Sequence, residues 1–317
     1  MSRIHEALKK AQEERASNPQ TAADKIPGDS MPSLGVARRD RVPGTLEGST
    51  PSATTGTGDT EIAEAGGVLT LDLLQTRCPQ STWSPDPGSA LFVDSQNHAL
   101  GTEEFRSLRS RLYQIRDKQL LQTLLVTSAM AGEGKTFVAV NLARAIVQQR
   151  GRRVLLIDSD LRISHMHILL GASAVPGLAD YLLGEADVFS ILQRGAQEGL
   201  FFIAGGKRAP NPAELIGSGR LRTLIQRLAP AFDWIILDSP PAVPVTDASL
   251  LAEMSDGVLM VVKAGETPYD MAQKGCQHFR DKHLVGAVLN RIEAGSAYSA
   301  YYYYGAEGND AQRGKKE

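Results

Sequence analysis

The chain has 317 residues, 42% of them hydrophobic, and a formal net charge of -2 from 34 Lys+Arg and 36 Asp+Glu. It can build one large domain or two small ones, and no bulk positive field argues for nucleic acid. Only Cys78 and Cys276 occur; far apart and without histidines at metal spacing, they argue against a disulfide framework or a zinc site and fit a reducing cytosol. No apolar run approaches the ~20 residues that cross a bilayer. The charged opening Met1-Ser2-Arg3-Ile4-His5-Glu6 lacks the apolar stretch of a secretory signal. The expectation is a cytoplasmic protein that meets a membrane only through a partner.

In chain order, Ile4, Ala7, Leu8 and Ala11 fall at helical spacing behind Ser2 as N-cap, so residues 2–16 are expected to form a short amphipathic helix within a first segment, 1–16. Residues 17–95 hold eight of the sixteen prolines and many Gly, Ser and Thr, a composition that buries too little apolar surface to offset its ordering entropy. They are expected to be a disordered linker. Its one apolar island, Val68 to Leu74, could dock or form a transient helix, and the second is the expectation adopted.

A regular pattern follows, assigned to a domain over 96–295. Strand-length apolar runs at 123–127, 153–157, 200–203, 233–237, 257–262 and 284–289 alternate with helical segments. Val154-Leu155-Leu156-Ile157 and Trp234-Ile235-Ile236-Leu237 are continuous rather than alternating, as for strands buried on both faces of a parallel sheet. The fold class expected is α/β, a doubly wound, mostly parallel sheet whose chemistry sits beyond the carboxyl ends of its strands. The tail, 296–317, is of low complexity and holds five of the eight tyrosines: Tyr298, Tyr301, Tyr302, Tyr303 and Tyr304.

Between the first strand and its helix lies Ser128-Ala129-Met130-Ala131-Gly132-Glu133-Gly134-Lys135-Thr136, a P-loop pattern with Ala129 in place of the usual first glycine. Successive backbone N–H groups at a helix N-terminus make an anion nest for phosphates. Lys135 would reach the terminal phosphates and the Thr136 hydroxyl would ligate Mg²⁺. The plainer alternative is a glycine-rich turn without a ligand. Two later strands end in Ile157-Asp158-Ser159-Asp160 and Leu237-Asp238-Ser239, and carboxylates there can hold Mg²⁺ directly or through water. Strand-end aspartates can also simply cap the next helix, the reading preferred for Asp247.

These pieces, with Pro210-Asn211-Pro212-Ala213-Glu214-Leu215 and Val288-Leu289-Asn290-Arg291, closely resemble the bacterial tyrosine autokinases (BY-kinases) of polysaccharide synthesis and export, within the MinD/ParA-like P-loop ATPases. The opening Met1 to Leu8 is similar to that of the exopolysaccharide and exosortase-associated subgroup. The resemblance implies ATP and Mg²⁺ as cofactors, with nucleotide contacts at Gly132, Glu133, Gly134, Lys135, Thr136, Phe137 and, at the adenine, Asn290. It implies Asp158 and Lys135 as catalytic, Thr136, Asp160 and Asp238 at the metal, and the five tail tyrosines as phosphoacceptors in trans. It also implies a ring built through Glu103, Arg106 and Arg109, activation by a separate membrane-anchored co-polymerase, and recruitment to the inner face of the membrane. Ala131, Phe137 and Ile163-Ser164 depart from the family pattern. The alternative is a MinD/ParA-like positioning ATPase, against which stand Met130, where those relatives usually carry a second lysine, and the tyrosine tail.

Overall fold

The computed structural model describes residues 67–78, 80–85, 101–280 and 284–292. The helix expected at 2–16, most of the linker and the tyrosine tail lie outside the described residues. The chain first forms α1 (Leu71–Arg77) and α2 (Thr102–Arg116), then β1 (Thr123–Ser128), α3 (Lys135–Val147) and β2 (Val154–Asp158). Next come α4 (Met166–Leu170), α5 (Leu178–Leu183), α6 (Val188–Ile191), β3 (Leu192–Arg194) and β4 (Leu200–Ile203). It closes with α7 (Pro212–Gly217), α8 (Arg220–Leu228), β5 (Trp234–Asp238), α9 (Asp247–Ala252), β6 (Gly257–Lys263), α10 (Tyr269–Gln277) and β7 (Leu284–Asn290).

All six expected strands are present. They join β3 in a seven-stranded sheet of order β3-β4-β2-β5-β1-β6-β7, parallel throughout except where β3 runs antiparallel to β4. The continuous apolar runs are explained by two cores. Leu124, Val126, Leu156, Trp234 and Ile236 face the layer of α2 and α3. Leu125, Leu155, Ile157, Ile235 and Leu237 face the opposite layer of α5, α8 and α9. Side chains alternate between faces with period two, so a strand covered on both sides must be apolar at every position.

The linker reading needs correction between residues 67 and 85. Leu69, Leu74 and Cys78 are buried in the second core, each leucine contributing roughly 1.5–3 kcal/mol by leaving water. Leu69 N–H donates to Arg227 O at 3.0 Å, Ser81 N–H to Arg194 O at 2.8 Å and Ser84 N–H to Gly171 O at 3.1 Å. Trp83 then meets Phe202 edge to face on the other side of the sheet. The segment is thus a strap around the β3 edge, and the folded unit begins earlier than residue 96. Covering β3 also shields an edge strand that could otherwise pair with another chain.

Strand order positions the site. β1 has β5 on one side and β6 on the other, and the chain leaves it through α3 to reach β2 beyond β5. The order in which the chain adds strands therefore reverses at β1, and the cleft for a ligand opens past the carboxyl ends of the strands at such a point.

Candidate active site

The loop after β1 is stapled by Glu133, whose buried carboxylate accepts Met130 N–H at 2.6 Å and the Thr267 hydroxyl. Asn290, at the end of β7, donates through Nδ2 to Glu133 O at 2.9 Å. Gly134 is required here: its φ is +90°, and a Cβ would stand 2.1 Å from Asn290 Nδ2. Glu133 therefore holds the loop in shape with its side chain rather than reaching a ligand. Phe137 likewise turns away and meets Phe105 of α2 edge to face, which leaves its backbone as the group toward the loop. Met130 and Ala131 are exposed at the rim.

Lys135 and Thr136 open α3 and point toward the strand ends. Lys135 Nζ lies 3.3 Å from Asp160 Oδ2, while Asp160 Oδ1 accepts Ile163 N–H at 3.1 Å. Thr136 Oγ1 donates to Asp238 Oδ2 at 2.6 Å. Asp158 and Asp238 are direct partners in the register of β2 and β5. The sequence-predicted Lys135, Thr136, Asp158, Asp160 and Asp238 thus come together at one sheet edge, with Asn290 behind the P-loop.

The electrostatics follow from burial. Asp238 is pushed up to about 7, first by burial and then by Asp158 and Asp160, against the pull of Lys135 and the Thr136 hydrogen bond. Burial also raises Asp158, whose partners Ser164 and Met166 oppose the shift. Asp158 Oδ2 accepts Ser164 Oγ at 2.6 Å and Met166 N–H at 3.1 Å, and its Oδ1 accepts Asp160 N–H at 3.2 Å. Asp238 Oδ1, by contrast, is buried without a hydrogen-bond partner. No cluster of three or more His, Cys, Asp or Glu among the described residues could hold a metal by itself. Mg²⁺ keeps several waters and takes substrate phosphate oxygens, so the Thr136 hydroxyl and the orphaned Asp238 oxygen fit that ion. Asp160 is engaged by Lys135 and would be freed only as the ammonium turned to a phosphate.

Three features escaped the sequence reading. Arg162 forms two hydrogen bonds of 2.8 Å, from Nε and Nη2, to the carboxylate of Asp247. Asp247 is thus no cap: it is the first residue of α9 behind the N-cap Thr246, and its buried charge is matched by a guanidinium 85 positions away. Ser164 supplies a hydroxyl to Asp158. Gly205, after β4, lets its loop press against both, since a Cβ there would lie 2.7 Å from Ser164 and 3.7 Å from the Asp158 carboxyl. Arg162 and Asp247 come from segments 85 positions apart and Gly205 meets a loop that follows a different strand, whereas Ser164 lies only six positions past Asp158. On α2, Arg106 pairs with Glu103 within the helix and Arg109 Nη1 donates to Ala145 O at 2.5 Å.

Residues 124–302 match the CobQ/CobB/MinD/ParA nucleotide binding domain. Tyrosine-protein kinase YwqD of Bacillus subtilis is 33% identical over 217 residues, 68% of this chain and 91% of that protein. The putative tyrosine-protein kinase AmsA of Erwinia amylovora is 33% identical over 233 residues, 73% of this chain but 32% of that protein. Among solved structures, the kinase domain of Escherichia coli tyrosine kinase ETK superposes with a TM-score of 0.63 at 27% identity, covering 73% of this chain and 91% of that one. Fold, converging site and relatives agree: the chain belongs to the CobQ/CobB/MinD/ParA nucleotide-binding family and, within it, to the bacterial tyrosine-protein kinases.

Proposed function

We propose that the chain transfers the γ-phosphoryl group of ATP, with Mg²⁺, to tyrosines 298, 301, 302, 303 and 304 of a neighbouring copy's tail, and so regulates synthesis and export of an exopolysaccharide. The observation that carries this reading is the meeting of Lys135, Thr136, Asp160 and Asp238 beside the buried Asp158. Phosphoryl transfer asks mainly for positioning and charge neutralisation. Mg²⁺ held at Thr136 and Asp238, with Asp160 once Lys135 has left it, would supply charge neutralisation at the phosphates. Lys135 exchanges its carboxylate partner for phosphate oxygens. Asp158 takes the phenolic proton as attack proceeds. The carboxylate has three donors, so the incoming phenol O–H replaces the Ser164 O–H at Oδ2, an exchange of one neutral hydroxyl donor for another that costs little net free energy.

Glu103, Arg106 and Arg109 run along one side of α2 and support a ring in which each tail enters a neighbouring site. A separate membrane-anchored co-polymerase is the activator in this reading and draws the kinase from the cytoplasm to the inner face of the membrane. No described helix is long and apolar enough to cross a membrane. Each tail phosphate adds roughly -1.5 to -2 charge, and their mutual repulsion disassembles the ring once several have accumulated. Incubation with Mg²⁺ and ATP, followed by mass spectrometry, tests the reading. Label on the tail that is lost when the five tyrosines become Phe supports it. Free phosphate without phosphotyrosine would replace it with a positioning ATPase.

A further inference from the structure

Along the carboxyl edge of the sheet the functional groups follow strand order. The P-loop leaves β1, Asp238 ends β5, Asp158 ends β2, and Gly205 and Gly206 follow β4. With about 4.8 Å between strands, the β4 loop lies roughly 14 Å from β1, on the far side of Asp158 from the phosphate cradle. A pocket of about 420 Å³ opens there, and no P-loop residue lines it. Its walls include Ser164, His165, His167, Gly205, Gly206 and Arg208.

The charges around this pocket are unequal. Arg162 at its edge is neutralised by Asp247, and neighbouring Lys207 by Glu185. Asp180, the nearest carboxylate to Gly206, already accepts Gly177 N–H at 2.8 Å and Lys207 N–H at 3.3 Å. Asp160 is held by Lys135. Arg208 forms no ion pair among the described residues and is exposed. His167 Nδ1 is buried without a partner. His165 also lines the pocket, its Nδ1 3.2 Å from Ile163 O and its Nε2 not used in that contact. A free guanidinium and two imidazoles around a cavity next to Asp158 suit a tetrahedral dianion rather than a neutral side chain.

We propose that this pocket is an acceptor subsite for a phosphotyrosine that neighbours the tyrosine being modified, so that the kinase prefers a tail already carrying one phosphate. The inference rests on Asp158 serving an acceptor phenol, as in the reading above. In an extended acceptor, residues two apart are separated by about 7 Å and share a face. Tyr301 and Tyr303, or Tyr302 and Tyr304, could then occupy the transfer position and the pocket together. The first phosphate thereby becomes a handle before further ones expel the tail.

The test uses the full-length chain with its five tail tyrosines changed to Phe, saturated with Mg²⁺ and ADP for binding or ATP for transfer. Fluorescent peptides spanning residues 296–307 carry tyrosine, phosphotyrosine or Tyr303→Glu at position 303. One charge-assisted contact predicts about tenfold or more tighter binding, and a matching gain in kcat/KM, for the phosphotyrosine peptide. Arg208→Ala is expected to erase that preference while leaving transfer to the unphosphorylated peptide unchanged, and Arg208→Lys to restore part of it. Equal binding and transfer for all three peptides would overturn the subsite alone. So would a preference that survives Arg208→Ala, or a glutamate peptide as good as the phosphorylated one. Transfer to none of the peptides would remove the tail-acceptor reading and the subsite with it.

Discussion

The two halves of the sheet edge differ in how far their side chains are already satisfied. On the nucleotide side, the P-loop is internally tied: Glu133 binds Met130 and Thr267, Asn290 binds the loop, and Thr136 binds Asp238. On the acceptor side, Arg208 has no ion-pair partner among the described residues, and His167 Nδ1 is orphaned. On the proposed reading the nucleotide half takes one fixed ligand, and its residues already support each other except at Asp238 Oδ1, which is buried without a partner. The acceptor half, on the same reading, admits a moving peptide, and its free donors are the groups that the phosphate of a phosphotyrosine would claim. Asp158 sits at the join and belongs to both.

Variants that break this division should show graded effects. Lys135→Met, which removes the ammonium proposed to meet the phosphates and takes the ion-pair partner from Asp160, should lower autophosphorylation by about 10²–10³ and weaken nucleotide binding. Phosphotyrosine blotting and nucleotide titration would measure the two. Asp158→Asn should reduce transfer by about 10²–10⁴ while nucleotide affinity stays within about threefold. An equal loss of both would move Asp158 wholly into the nucleotide half.

A thermal effect comes next in size. Asp238 is held up at about 7 by burial, far above an unfolded aspartate near 3.9. The folded state therefore binds the extra proton, and stability is lost as pH rises from about 4 to about 7. Asp238→Asn should raise the melting temperature of the chelator-treated protein at pH 8, by about 2–4 °C for each kcal/mol recovered. The same variant should lose the stabilisation that Mg²⁺ and ADP confer. Smallest is Ser164→Ala. Without that hydroxyl the Asp158 carboxylate is less stabilised and its proton is held more tightly, so the acid limb of the kcat/KM profile should move to higher pH with a few-fold lower rate at pH 7. A pH–rate profile would detect it, and an unmoved limb would show that Ser164 does not tune the base.

Much of this was legible in the sequence because burial on two faces writes itself as unbroken apolar runs, and because β1, β2 and β5 each end in residues of the candidate site at the same edge. β3 escaped because three residues, Leu192-Gln193-Arg194, carry no such run. The strap was misread because α1 is seven residues long and sits amid prolines. What orders it is Leu69 and Leu74 entering a core made by residues from Leu125 onward, more than fifty positions later, which no local pattern reveals. Asp247 before Ala248-Ser249-Leu250-Leu251 looked like a helix cap for the same reason: its true partner, Arg162, comes from another loop.

The strap also carries its own reporter. Burial raises the Cys78 thiol to about 11, and its Sγ lies under the strap, 3.8 Å from Phe189 O. Thiolate is the reactive form, so Cys78 can be alkylated only while residues 67–85 are peeled from the β3 edge. Its labelling rate, compared with that of an unstructured thiol, therefore reads the free energy of that local opening in the unmodified protein. Any partner that grips or displaces the strap would change that rate at a distance from the site of transfer.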